Sequence, residues 1–250
     1  MIQLKNSAQI KEMKEAGRIT AQALLVAQDA IREGVSTKEL DTKIRAFIEK
    51  CGAKPSFLGL YGFPGSACIS INDQVIHGIP SRDVILKEGD IVKIDVGAFY
   101  KGFHGDSART YPVGKISAEA ERLIEGTKLC FEKGMEQFKA GNRIGDIGYA
   151  VESCANSYGY SVVRKYVGHG VGHDVHESPD VPNYGTQGRG VRLCSGMVLA
   201  IEPMVNAGVG DVKEMSDGWT VLTADGKLSA HYENTVALTE DGPIILTDAE

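Results

Sequence analysis

The stretch Gly89-Asp-Ile-Val-Lys-Ile-Asp95-Val-Gly-Ala-Phe-Tyr100-Lys-Gly-Phe-His-Gly-Asp106 decides how the rest of the chain is read. Two strand-like runs flank Tyr100-Lys101-Gly102, which marks a hairpin. A turn about the Tyr100–Lys101 bond sets Asp95 directly opposite Asp106 on one face of the pair. Carboxylates so placed destabilise a sheet unless something positive lies between them. A solvated face would tolerate the repulsion. Here, however, Asp95 follows Ile91-Val92 and adjoins Ile94, so the pair is expected beside a core, in a metal-binding role.

Outward from this hairpin the chain repeats one order of elements. An amphipathic helix is expected over residues 7–33, with Ile10, Met13, Gly17, Leu24 and Ile31 near one stripe. Ser36 and Glu39 open a second helix that runs to about residue 51. Strand-like runs follow over 67–76 and 90–99. A second helix pair is expected over 118–139 and 146–158, with strand-like runs resuming at Tyr160 and Met197. An offset of 107 positions carries Gly34 onto Gly141, Leu40 onto Ile147, Ile44 onto Val151, Leu86 onto Leu193, Ile94 onto Ile201 and, above all, Asp95 onto Glu202. A looser echo at offset 99 matches His77-Gly-Ile-Pro80 to His176-Glu-Ser-Pro179. Unrelated halves can share turn glycines, but not so readily an acid at the end of matching apolar runs. The expectation is a single α+β domain over 1–250, made of two halves (about 1–110 and 111–250) that face one another across a cleft.

The second half supplies further candidates. Glu202 ends the apolar run 197–201 before Pro203, which cannot donate to a ladder, so the strand is expected to fray and present the carboxylate. Glu233 is expected inside a strand over 229–238. His169 lies in Gly168-His-Gly-Val-Gly172, where bare glycines permit a close approach to a ligand. Position 173 is His rather than Gly, which excludes a dinucleotide loop. A local site of His169, His173 and His176 is an alternative, though no helix or fourth ligand supports it. Four carboxylates and one imidazole make a hard, oxygen-rich ligand set suited to Mn, Fe(II), Co or Zn. Two divalent cations would balance four negative charges, and paired metals of this kind serve hydrolysis.

Composition is that of an ordinary globular protein. The net charge of -6 and pI near 5.6 give nucleic acid or an anionic membrane no electrostatic reason to bind. Five scattered cysteines lack metal or redox spacing, the N-terminus lacks the apolar core of a signal peptide, and no run is long enough to span a bilayer. These features predict a cytoplasmic protein.

The stretches Ser70–Pro80, Gly89–Asp95, Gly102–Asp106, Gly168–Gly172, Ile201–Val205 and Tyr232-Glu233 together resemble the type I methionine aminopeptidases over essentially the whole chain. The resemblance implies the pseudo-twofold "pita-bread" fold: antiparallel sheet, helices outside, a central dimetal cleft. It implies five metal ligands: Asp95, Asp106, His169, Glu202 and Glu233. Asp106 and Glu233 would bridge both ions, Asp95 would serve one, and His169 and Glu202 the other. The implied metals are two divalent ions (Co, Mn, Fe(II) or Zn). His176 would stabilise the tetrahedral intermediate, His77 would contact the substrate amide nitrogen, and Glu202 would also handle the proton of the attacking water. The substrate would be the N-terminal methionine of peptides and nascent chains with a small second residue, met by a monomer, with the ribosome a further partner.

In the implied methionine pocket Cys68 and Trp219 match the family, while Phe57, Leu60, Phe63 and Val175 depart from its best-known bacterial pattern but stay apolar. Only 33 positions separate His169 from Glu202, too few for the helical insertion of the type II enzymes. Cys68 with His77 lacks the orienting partner that a nucleophile requires. Two other readings share the fold. One is a proline-specific aminopeptidase P or prolidase, which usually carries an additional N-terminal domain. The other is a non-catalytic binding protein, which typically loses ligands.

Overall fold

The first helix starts where Asn6 satisfies its free amides: Asn6 Oδ1 accepts from Gln9 N at 2.9 Å while Gln9 Oε1 accepts from Asn6 N at 3.0 Å. The computed structural model describes residues 1–249. Helices α1 (Ser7–Ala30) and α2 (Thr37–Lys50) come first, with Ser36 as the N-cap of α2. Strands β1 (Ala67–Ile71), β2 (Gln74–Ile76), β3 (Ile91–Tyr100) and β4 (Phe103–Pro112) follow. A second helix pair, α3 (Ala118–Gln137) and α4 (Ile144–Ser157), leads to β5 (Gly168–Gly170), β6 (Glu177–Val181), β7 (Val198–Ile201), β8 (Met204–Asn206), β9 (Ser229–His231) and β10 (Asn234–Thr239). Every pairing among these strands is antiparallel. The expected single run over 67–76 is two strands, because Asn72 takes a positive φ of 51° and turns the chain.

Each helix pair packs on strands of its own half of the chain. Leu24, Leu40, Ile44 and Ile48 of α1 and α2 pack on Ile69, Val92, Ile94 and Val96. Leu123, Phe131, Ile147 and Val151 of α3 and α4 pack on Leu199, Ile201, Val205 and Val236. The helices thus lie outside and the sheets meet inside, the mixed α+β architecture that the resemblance implies.

The hairpin register differs from the expected one. Lys101 and Gly102 both take positive φ, 49° and 89°, so the two-residue turn is centred on them and Tyr100 pairs with Phe103. Asp95 therefore faces Ala108, and Asp106 faces Gly97. Side chains alternate along a strand, so Asp95 and Asp106 still share a face, but as diagonal neighbours rather than direct opposites.

Hydroxyls stitch this hairpin to the strands of the second half. Thr235 Oγ1 both accepts from Asp106 N at 2.9 Å and donates to Asp106 O at 2.8 Å. Thr110 Oγ1 does the same for His231, and Ser107 Oγ donates to Glu233 O at 2.7 Å. Lys93, fully buried, extends the seam by donating to Asn72 O and Ser229 O at 2.7 and 3.0 Å. Burial pulls its ammonium pKa down to about 7.

Helix α1 presses against the hairpin at Gly17 and Gly105. A Cβ on Gly105 would stand 2.8 Å from the Gly17 Cα, and a Cβ on Gly17 would collide with the carbonyl of Leu246. Intrinsic helix propensity alone favours alanine over glycine by about 1 kcal/mol. Backbone collision reverses the sign: Gly17→Ala is expected to destabilise the protein by about 1–3 kcal/mol, read from urea unfolding midpoints. A gain in stability would show that the close approach is not maintained.

Candidate metal centre and substrate cavity

All five expected ligands, Asp95, Asp106, His169, Glu202 and Glu233, line one cavity of about 380 Å³ together with His77 and His176. Asp95 and Asp106 come from β3 and β4, and their carboxyl groups lie within hydrogen-bonding reach of one another. His169 sits at the centre of β5. The flanking glycines serve neighbouring backbone rather than ligand approach: a Cβ on Gly168 would collide with Ala200 O, and one on Gly170 would stand 2.5 Å from Ser178 O. His169 Nδ1 lies 2.9 Å from Gly170 O, which aims Nε2 at the acids, 3.5 Å from Glu202 Oε1 and 3.9 Å from Asp106 Oδ2.

Glu233 is not inside a strand. It stands between β9 and β10, just as Glu202 stands between β7 and β8. Ile201 pairs with Asn234 and Met204 with His231, so Glu202 and Glu233 fall opposite one another where the ladder opens. Their backbone groups bond elsewhere: Glu233 N donates to Ala108 O at 2.9 Å, and Glu202 O accepts from Asn183 Nδ2 at 2.9 Å. The opening turns both side chains into the cavity.

Asp106, His169 and Glu233 each bring a ligand atom within 4.8 Å of the others. Asp95 adjoins this trio through Asp106, and Glu202 through His169. Burial raises all four carboxyl pKa values, that of Asp106 to about 7; the neighbouring carboxylates raise those of Asp95, Glu202 and Glu233 further. Burial lowers the imidazole of His169 to about 4, keeping it neutral. Arg109 does not neutralise the group, because its guanidinium is spent on Glu233 O, Ala108 O and the Asn234 side chain. Asp95 Oδ1, Asp106 Oδ1 and Glu233 Oε1 are buried without a hydrogen-bond partner. Orphaned, clustered carboxylate oxygens beside a neutral imidazole fit divalent cations.

The alternative site of three histidines is not formed. His173 turns away, stacking on Phe103 with ring centroids 4.4 Å apart and placing Nδ1 2.8 Å from Gly102 O. His176 stays, edge-on to His169 at 4.4 Å. His77, held at a positive φ of 59°, meets Tyr166 edge-on at 5.7 Å. Burial lowers both imidazoles, His77 to about 4.

At one end the cavity is apolar. Phe57, Leu60, Phe63, Cys68 and Trp219 line it, and Val175 packs behind them with Phe57, Phe63 and Cys68. Burial, followed by the charge of Asp95, pushes the Cys68 thiol well up, which removes it from consideration as a nucleophile. Four residues at the site carried no signal in the sequence. Tyr61 stacks on His176 at 5.9 Å, and Tyr166 and Asp180 also line the cavity. Fully buried His231 sets Nε2 3.5 Å from Glu202 Oε2. Only the position of His231, two residues before Glu233, hints at its role.

The comparisons agree with this geometry. The model of metallopeptidase family M24 matches residues 11–240. The chain belongs to that family. It is 56% identical over 247 residues, 99% of each chain, to the methionine aminopeptidase of Clostridium perfringens. The crystal structure of a methionine aminopeptidase from Thermotoga maritima superposes with a TM-score of 0.97 at 43% identity, over 99% of this chain and all of that one. A prolidase from Pyrococcus horikoshii shares the fold at a TM-score of 0.80 and 27% identity, with this chain spanning 64% of its length. Within family M24 the chain therefore belongs with the methionine aminopeptidases. No helix among the described residues is long and apolar enough to cross a membrane, and the five cysteines are free thiols.

The raised carboxyl pKa values fix the sign of a pH effect on metal-free protein. These groups hold protons more tightly folded than unfolded, so their contribution is complete below about pH 4 and is lost as pH rises through about 7. Between about pH 4 and 7 the metal-free protein should lose stability by up to about 1.4 kcal/mol per pH unit for each proton that the folded state holds and the unfolded chain does not. Saturating Mn(II) should abolish the slope. Chemical denaturation at several pH values checks it; equal slopes with and without metal would contradict the assignment.

Proposed function

We infer that this chain is a metal-dependent aminopeptidase that removes the N-terminal methionine of peptides and nascent proteins when the second residue is small. The observation that carries this reading is the single cavity with an acid-and-imidazole cluster against an apolar end lined by Phe57, Phe63, Cys68 and Trp219. An unbranched thioether fits soft, aromatic walls, and a charged side chain there would be buried unpaired at a cost of several kcal/mol. Family membership implies divalent metal. We propose two ions, which Asp95, Asp106, His169, Glu202 and Glu233 would hold between them. Bound, they would lower the pKa of water and polarise the scissile carbonyl.

The remaining roles fall to the chain's own groups. Glu202, facing the cavity between β7 and β8, accepts the proton of the attacking water and returns it to the departing amine as the carbon–nitrogen bond breaks. Neutral His176 donates from its ring N–H to the carbonyl oxygen as that atom gains charge. His77 contacts the nitrogen of the scissile amide. The acid cluster receives the free N-terminal amine, which confines cleavage to chain ends.

Chelation should abolish cleavage of Met-Ala-Ser, and Mn(II), Fe(II) or Co(II) should restore it; full activity in rigorously metal-free protein would sink the reading. His176→Ala should lower kcat by about 100-fold or more with metal content unchanged, because it removes a transition-state contact. Loss of metal in that variant would make His176 a ligand instead. Among Met-Xaa peptides, Met-Ala should exceed Met-Lys and Met-Trp in kcat/KM. Preference for Xaa-Pro over Met-Ala would favour the proline-specific activity named for the prolidase neighbour.

A further inference from the structure

We propose that Asp180 selects substrates with a basic residue at the third position. This rests on the aminopeptidase reading above, which fixes where methionine and the scissile bond lie. Asp180 is the fifth acid on the cavity wall, and no Lys or Arg lines that wall. Among the described residues its carboxylate makes no hydrogen bond or ion pair, whereas Lys165 and Glu214, beside the lining residue Tyr166, cancel in a pair at 2.6 Å. Tyr166 is committed to the same Glu214 at 2.7 Å. Once cations balance the four clustered carboxylates, Asp180 is the uncompensated charge of the cavity.

Its place on β6 says which part of a substrate it meets. Pro179 and Val181 are buried, while His176, Ser178 and Asp180 are exposed at alternate positions along this segment, the period that puts side chains on one face of a strand. Methionine occupies the end at Val175 and Phe57, so the rest of the peptide leaves past His176 toward Val167, Tyr166 and Asp180. Four residues of strand from His176 to Asp180 span about 13 Å. An extended peptide advances about 3.3–3.6 Å per residue, so the third residue stops short of Asp180 and a long lysine or arginine side chain covers the remainder. A glutamate there meets a like charge.

The test compares Met-Ala-Lys, Met-Ala-Gln and Met-Ala-Glu, all amidated, by kcat/KM at low salt. Expected is Lys above Gln above Glu, with about two- to fivefold at each step, the size of an exposed pair, shrinking at high salt. Asp180→Asn should bring the Lys-to-Gln ratio to near one, and Asp180→Lys should invert it. Binding of non-hydrolysable isosteres of the three peptides to metal-loaded protein, read from the fluorescence of Trp219, the only tryptophan, should show the same order without turnover. A Lys preference that persists in Asp180→Asn, by either readout, overturns the proposal. Failure to cleave any Met-Ala peptide, with the charge order intact in the fluorescence titration, overturns the aminopeptidase reading instead.

Discussion

Enclosing like charges is the constraint on which this structure turns. Asp95, Asp106, Glu202 and Glu233 share one cavity wall, and repulsion between them, added to desolvation, opposes the fold that brings them together. The fold withstands this because the acids are attached to elements that cannot separate. Asp106 is clasped through its own peptide by Thr235, and Glu233 is bonded through its N–H to Ala108 and through its carbonyl to Ser107 and Arg109. The nearest guanidinium is thus used to lock backbone rather than to quench charge. That leaves the carboxylates free for cations, and it makes the cations part of the folded state's energetics.

The opening between the paired segments 198–206 and 229–239 follows the same logic. A continuous antiparallel ladder would alternate its side chains strictly between faces. Interrupting it on both strands at Glu202 and Glu233 lets two opposed residues turn one way while the ladder closes again beyond them. Pro203, with no N–H to contribute, sits where the interruption needs no bond. His231, next to Glu202 across this gap, fills the space behind the carboxylate. The acids thus make one side of the cavity polar, while Phe57, Phe63, Cys68 and Trp219 make one end apolar.

What could be read in the sequence were features with local causes. The apolar runs before Asp95 and Glu202, the helix pairs and the Ser36 cap all depend on neighbours in the chain, and each is found where expected to within a few residues. The hairpin register differs from the expected one by two because the positive φ values of Lys101 and Gly102 move the turn, a backbone preference that charge pairing does not report. Glu233 reads as a strand residue in the sequence because the opening is created by its partner across the ladder, not by its own flanks. Tyr166 and Asp180 are brought to the site by tertiary approach, and Tyr61 and His231 carry no signal beyond standing near Leu60 and Glu233 in the chain. Gly168 and Gly170 were legible as special, but their reason is strand packing against Ala200 and Ser178. The resemblance to a known family supplied the roles; spacing alone stopped at a cluster of acids and a histidine.

The central claim is that the acid cluster is completed by cations that displace protons. Calorimetric titration of Mn(II) into metal-free protein near pH 7, repeated in buffers of different ionisation enthalpy, measures both quantities at once. The account predicts two ions per chain and a net release of protons to the buffer. Binding of no ion, or binding with no proton release, would contradict it.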